Sequence, residues 1–144
     1  MKNNLFILTF VFVLISCSTN FLTRLEKIKE TNDESYGYDV GNPIRIGYSN
    51  PQESIDYTYL FLSSLRDSSN NPLNYIERFS TADPNYEPSF LDKIPKRFDN
   101  SISGGILDCY ILTMNNDRDT IQLYFDIYNY KQLFIPKGLK FIRE

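Results

Sequence analysis

The chain contains no histidine. That removes the Ser-His-Asp triad, the Cys-His pair, the His-ligated zinc site and the side chain that most often serves as general base near neutral pH. Tryptophan is absent too, and cysteine is scarce, with Cys17 and Cys109 the only two. No Lys/Arg run or basic patch stands out, which argues against nucleic acid and against a polybasic hold on anionic lipid. No apolar run is long enough to span a bilayer. The longest, Leu5 to Ile15, is relieved only by Thr9, and its eleven residues fall short of the roughly 20 that ~30 Å of hydrocarbon demands.

What the short run does fit is export. Met1 to Asn4 carries one positive charge, the apolar stretch follows, and Ser16 to Asn20 is polar at once, the layout of a secretory signal peptide. Its end, Leu14-Ile15-Ser16-Cys17, resembles the lipobox of bacterial lipoproteins: an aliphatic residue, a small residue that lets the peptidase in, and a thiol that accepts diacylglycerol as a thioether. The resemblance implies removal of residues 1–16, Cys17 as the lipidated first residue, and a membrane partner reached through its acyl chains. Each buried methylene contributes about 0.8 kcal/mol, so more than one chain is needed for a stable hold. The expected location is the bacterial envelope, on the outer membrane facing the periplasm or the surface.

Taking sixteen residues from 144 leaves 128, enough for one core, with 14 basic against 18 acidic side chains once Lys2 is gone. With Cys17 lipidated, Cys109 has no partner, so this exported domain has no internal disulfide and stands on its core. Eleven tyrosines and eleven phenylalanines dominate that core, as half-buried sheet surfaces favour.

Residues 17–34 read as the lipidated terminus and a tether, with Phe21, Leu22, Leu25 and Ile28 at helical spacing, and 35–144 as a single domain. Tyr36 to Val40 and Ile44 to Tyr48 look like short extended segments separated by Gly41-Asn42-Pro43. Asn50, Pro51 and Glu53 form a helix start, with Ile55, Tyr59 and Leu62 on its apolar face and Leu65 near its end; alternating Ile55, Tyr57, Tyr59 and Phe61 offer a strand as the competing reading. Residues 66–72 make a turn, and Leu73 to Phe79 alternates as a strand. Residues 80–105, with three prolines and Gly104-Gly105, form a long irregular region. Ile106 to Thr113 and Thr120 to Tyr128 should pair as a hairpin, Ile121, Leu123, Phe125 and Ile127 facing the core. A loop and a short edge strand end the chain over Leu133 to Phe141. The fold class expected is α+β, an antiparallel sheet of four to five strands with one main helix packed on a face.

Candidate chemistry is sparse. Asn115, Asp117 and Asp119 have the spacing of a calcium loop, with Asp126 at the twelfth place, but Thr120 replaces the required Gly and strands flank the loop, so no metal is expected. Tyr124, Asp126, Tyr128 and Tyr130 are a possible binding face, an aromatic and acidic ladder that could stack sugars or a partner's side chains; a covered second sheet face accounts for them as well. Cys109 reads as a small buried hydrophobe. Asp108 paired with Asp126 across the hairpin is a candidate carboxylate dyad, and a hydrolase could use Asp108, Asp126 or Glu77; solvated edge charges account for the dyad as well. No cofactor is implied.

Several stretches together resemble a group of small exported proteins and lipoproteins of Bacteroidota: Tyr36-Gly37-Tyr38, Asn42 to Gly47, Leu62 to Arg66 leading to Asn71-Pro72-Leu73, Leu107 to Tyr110, Leu123 to Tyr128, and Pro136 to Leu139. The chain departs from that group at Phe79-Ser80-Thr81, where Gly-Ser-Cys is expected. The resemblance implies a shared fold and no residue-level site. Some members carry the name of an octulosonate-phosphate aldolase, which is an α/β barrel of ~250 residues and does not fit a domain half that size. The functional expectation is a lipid-anchored, non-enzymatic binding module with a protein or glycan partner. The alternatives are an immunity or inhibitor lipoprotein against an envelope-targeting toxin, and a carboxylate-dependent glycan hydrolase.

Overall fold

Asn50 opens the main helix. Its backbone is extended (φ −143°, ψ 158°), its side chain accepts a hydrogen bond from Glu53 N at 2.9 Å, and Pro51 occupies the first turn, where its missing N–H costs nothing. In the computed structural model, which describes residues 21–48, 50–88, 105–114 and 119–142, this helix runs Pro51–Ser64. A one-turn helix, α1 (Phe21–Glu26), precedes it, so the main helix is α2. The helical reading of this stretch holds, but the buried face is turned from the one expected. Ser54, Thr58, Phe61 and Leu62 are buried, while Tyr59 is exposed and Ile55 only partly covered. Ser54 and Thr58 satisfy their hydroxyls within the helix, Ser54 Oγ donating to Asn50 O at 3.1 Å and Thr58 Oγ1 to Ser54 O at 2.8 Å. Once paired in this way, a hydroxyl is cheap to bury and small enough to bring α2 close to its neighbours.

The strands are β1 (Lys29–Glu30), β2 (Ile44–Arg45), β3 (Leu65–Arg66), β4 (Asn74–Ala82), β5 (Ile106–Met114), β6 (Asp119–Asp126), β7 (Phe134–Ile135) and β8 (Lys140–Phe141). Four of them form one open sheet in the order β2-β6-β5-β4. The β4–β5 and β5–β6 pairs are antiparallel, the latter being the expected hairpin, and β2 joins β6 in parallel, Ile44 opposite Phe125. The class is therefore mixed α+β with a mostly antiparallel sheet. The short β1–β7 and β3–β8 pairs lie outside that sheet, and they divide the Leu133 to Phe141 stretch into two strands around a turn with Gly138 at φ 85°.

Register assigns the two faces. Asp108, Tyr110 and Leu112 share one with Phe125, Leu123 and Ile121, and α2 packs there, its Phe61 ring 6.0 Å from Phe125 and its Tyr59 ring 6.0 Å from Tyr110. Leu107 and Cys109, on the opposite face, are also fully buried, so β5 is covered on both sides.

Two segments differ from expectation. Tyr36 to Val40 is a series of turns: Asp33 Oδ1 accepts from Ser35 N at 2.9 Å, Tyr38 N and Asp39 N donate to Ser35 O, and Gly37 sits at φ 80°. Local side-chain bonding outcompetes the ladder that the tyrosine alternation implied. Residues 21–30, within the stretch expected to be a tether, belong to the core. Phe21, Leu25 and Ile28 are buried in the main cluster, and the Phe21 ring stacks on Tyr57 of α2 with centroids 3.9 Å apart. The long 80–105 region falls largely outside the described residues, as do Asn115 to Arg118 of the hairpin turn; Ser80 to Ala82 extend β4.

Candidate ligand cleft

The parallel β2–β6 contact creates a concavity beside itself. Arg45, at the end of β2, is opposite Asp126, the last residue of β6, and Lys131 N donates to Arg45 O at 3.1 Å. These bonds bring 131–134 alongside 31–45, and between them lies a cleft of about 400 Å³ lined by Thr31, Asp33, Tyr36, Asn42, Arg45, Lys131, Gln132 and Phe134.

Asp126 is the structural pin of this site. It is only 2% exposed, its Oδ1 accepts from Tyr128 N at 2.9 Å and Asn129 N at 3.0 Å, and its Oδ2 accepts from Asn129 Nδ2 at 2.9 Å. The same Oδ2 is 3.5 Å from Arg45 Nε, an ion pair longer than a hydrogen bond. The carboxylate thus shapes the turn after β6 and attracts the guanidinium from its Nε side, where Nε itself is buried without a hydrogen bond.

Asp33 also lines the cleft. Its Oδ1 also accepts from Ser35 Oγ at 2.7 Å and its Oδ2 from Asn42 Nδ2 at 2.8 Å. The Ser35 hydroxyl and backbone hydrogen bonds hold its carboxyl below the usual aspartate range, so it is ionised at neutral pH. Tyr36 forms the floor. Its hydroxyl accepts from Phe134 N at 3.2 Å, its ring meets Phe134 edge-on at 5.7 Å, and burial pushes its pKa up to about 12, keeping the phenol protonated. Sequence reasoning did not single out Arg45 or Asp33, because each is one charge in a polar stretch and only the β2–β6 pairing makes them neighbours of a cleft.

The expected Tyr124, Asp126, Tyr128, Tyr130 face is not assembled as a ladder. β6 ends at Asp126, so the alternation stops there and the carboxylate turns into its own loop. Tyr124 projects beside Cys109 and its hydroxyl reaches Gln122 Oε1 at 3.4 Å. Tyr128 and Tyr130 are exposed beyond the strand, the Tyr130 ring lying under the Arg24 guanidinium at 4.1 Å. The carboxylates are not brought together either. Asp108 lies on the α2 face and binds Arg78 Nη2 at 2.8 Å, Asp126 projects from the other face, and Glu77 is exposed on β4. Burial pushes the Cys109 thiol up, away from a reactive thiolate. Among the described residues no group of three Cys, Asp or Glu side chains could hold a metal, and no helix is long and apolar enough to cross a membrane. The chain matches no model of a known protein family, no curated protein sequence and no solved structure.

Proposed function

We propose that the protein is a lipid-anchored, non-enzymatic binding module of the bacterial envelope, held through diacylglycerol on Cys17 and receiving its ligand in the cleft between 31–45 and 131–134. The observation that carries the reading is the burial of Phe21, four residues after the lipobox cysteine. Four residues reach at most ~14 Å when fully extended, so the anchor would hold this domain flush with the headgroups. Binding rather than catalysis is favoured because Asp108 and Asp126 are already engaged by arginines inside the fold. The test is the mass of the purified chain's N-terminal peptide. Cys17 as first residue bearing diacylglycerol is the expected result; an unmodified Cys17, or retention of residues 1–16, overturns the anchor.

A second reading, an inhibitor or immunity lipoprotein with a protein partner, is favoured by β4. This nine-residue strand ends the sheet and exposes Tyr75 (56%), Ile76 (53%) and Phe79 (39%), an apolar rim of the kind that partner chains cover. Capture of a partner from envelope extract by the wild type but not by Ile76→Asp would support it; equal capture by both would not.

A further inference from the structure

The geometry points to a carboxylate subsite in the cleft: Arg45 and Lys131 receive the carboxylate of a single hydroxylated acid of the uronic-acid class, and Asp33 accepts from its hydroxyls. The inference rests on the cleft being the ligand site and names what enters it.

The position of Arg45 on its strand is set before any ligand arrives. Its backbone is paired to β6 and to Lys131 N, and its Nε faces Asp126, itself immobilised by three hydrogen bonds. Among the described residues, no side chain is hydrogen-bonded to the terminal nitrogens of Arg45 or to the Lys131 ammonium. With Nε beside Asp126 at 3.5 Å, longer than a hydrogen bond, the guanidinium keeps its Nη1/Nη2 edge, which matches the two oxygens of a planar carboxylate in a bidentate pair. Preorganisation of this kind reduces the ordering cost that binding must offset.

Charge and size narrow the class. Two cations and one ionised aspartate line the cleft, and the buried Asp126 carboxylate beside Arg45 offsets the second cation, so the site with its support is close to neutral. A mono-anion therefore leaves less unbalanced negative charge there than a phosphate dianion, which also meets stronger repulsion from Asp33. The oxygens of Asp33 and the protonated Tyr36 hydroxyl, which already accepts from Phe134 N, offer both acceptors and a donor to hydroxyl groups, and the Phe134 ring offers an apolar wall. A volume of about 400 Å³ is near the lower end for ligand sites, right for one sugar ring and too small for a long chain.

The experiment is ligand-observed saturation-transfer NMR with the mature chain in neutral detergent, using glucuronate and glucose as probes and inorganic phosphate, which has no carbon-bound protons, as a competitor against the glucuronate signal. Glucuronate should bind, with glucose and phosphate each weaker by roughly tenfold or more, the scale of one lost charge-assisted pair. Arg45→Gln and the exposed Lys131→Gln should each weaken glucuronate binding by at least severalfold; the Lys131 variant leaves the Arg45–Asp126 pair intact and decides the matter if the Arg45 variant does not fold. No glucuronate binding, equal binding of glucose, tighter binding of phosphate, or unchanged affinity in Lys131→Gln overturns the inference. Lipidation of Cys17 is read separately, so a lipidated chain that ignores glucuronate sinks the subsite alone, and an unlipidated chain that binds it sinks the anchor alone.

Discussion

Replacing Asp126 by alanine separates its role as internal pin from the surface binding role that its place in the sequence invites. In the structure the carboxylate is 2% exposed and serves Tyr128 N, Asn129 N, Asn129 Nδ2 and the Arg45 guanidinium at once. Hydrogen bonds to a charged group contribute about 1.5–3 kcal/mol each at best, and because Tyr128 and Asn129 are exposed their N–H groups recover only part of that from water. Arg45 Nε recovers none, since it is sealed from solvent, makes no hydrogen bond, and faces only this carboxylate at 3.5 Å. Removing one partner of a buried pair costs about 3–5 kcal/mol. We take the lower half of that range, about 3–4 kcal/mol, because the pair is 3.5 Å apart and the Arg45 side chain is 23% exposed.

For a domain of this size that loss lowers Tm by roughly 10–15 °C in a scan followed by far-UV circular dichroism. Asp126→Asn keeps an acceptor for the two backbone N–H groups and loses the charge, so it should cost about half as much. A shift below about 2 °C for Asp126→Ala, the range of ordinary surface substitutions, would refute the assignment of Asp126 to the interior and return it to the surface. Equal shifts for the two variants would refute the weight given to the backbone hydrogen bonds.

Three further outcomes follow from the same packing. Phe21→Ala removes a fully buried ring stacked on Tyr57 and should cost about 3–5 kcal/mol in denaturant unfolding, where a tether residue would cost nothing measurable. Gly47→Ala places a Cβ 2.7 Å from Asn129 N and Tyr128 C, backbone atoms of the turn pinned by Asp126, and should destabilise by about 1–3 kcal/mol, with loosened amide-exchange protection at 127–130. Tyr36, raised by burial to about 12, ionises in the unfolded chain near 10 before it does so in the folded one. The unfolded state therefore loses its proton first, and the stability present below pH 10 falls by about 3 kcal/mol as pH rises to 12. Tyr36→Phe should lack that share of the alkaline loss, and an unchanged pH slope would show that Tyr36 is not buried.

What the sequence disclosed and what it concealed divide along one physical line. Features encoded by neighbours a few residues apart were legible: the Asn50-Pro51 start of α2, the β5–β6 hairpin, the inward Leu123 and Phe125, the turn at 66–72. Features that depend on a short polar side chain choosing a partner were not. Asp126 looked like a ligand-facing acid and is a turn pin; Asp67, read only as part of a loop, is 1% exposed and binds Ser69 N at 2.9 Å and Asn71 N at 2.8 Å. Ser54 and Thr58, which lie outside the expected apolar face, line the inner side of α2. In each case an oxygen found a backbone group within four residues, which makes burial affordable without any apolar signal. The cleft was hidden for the complementary reason. Its two walls, 31–45 and 131–134, are nearly a hundred residues apart, and the parallel contact that joins them spans only two residues of β2, too short to leave a pattern. Arg45 belongs to both cases: its Nε lies beside an aspartate that the sequence offered as part of a binding face, and the residue itself lines the cleft. The same pairing that concealed the site is what would make it rigid enough to recognise a carboxylate.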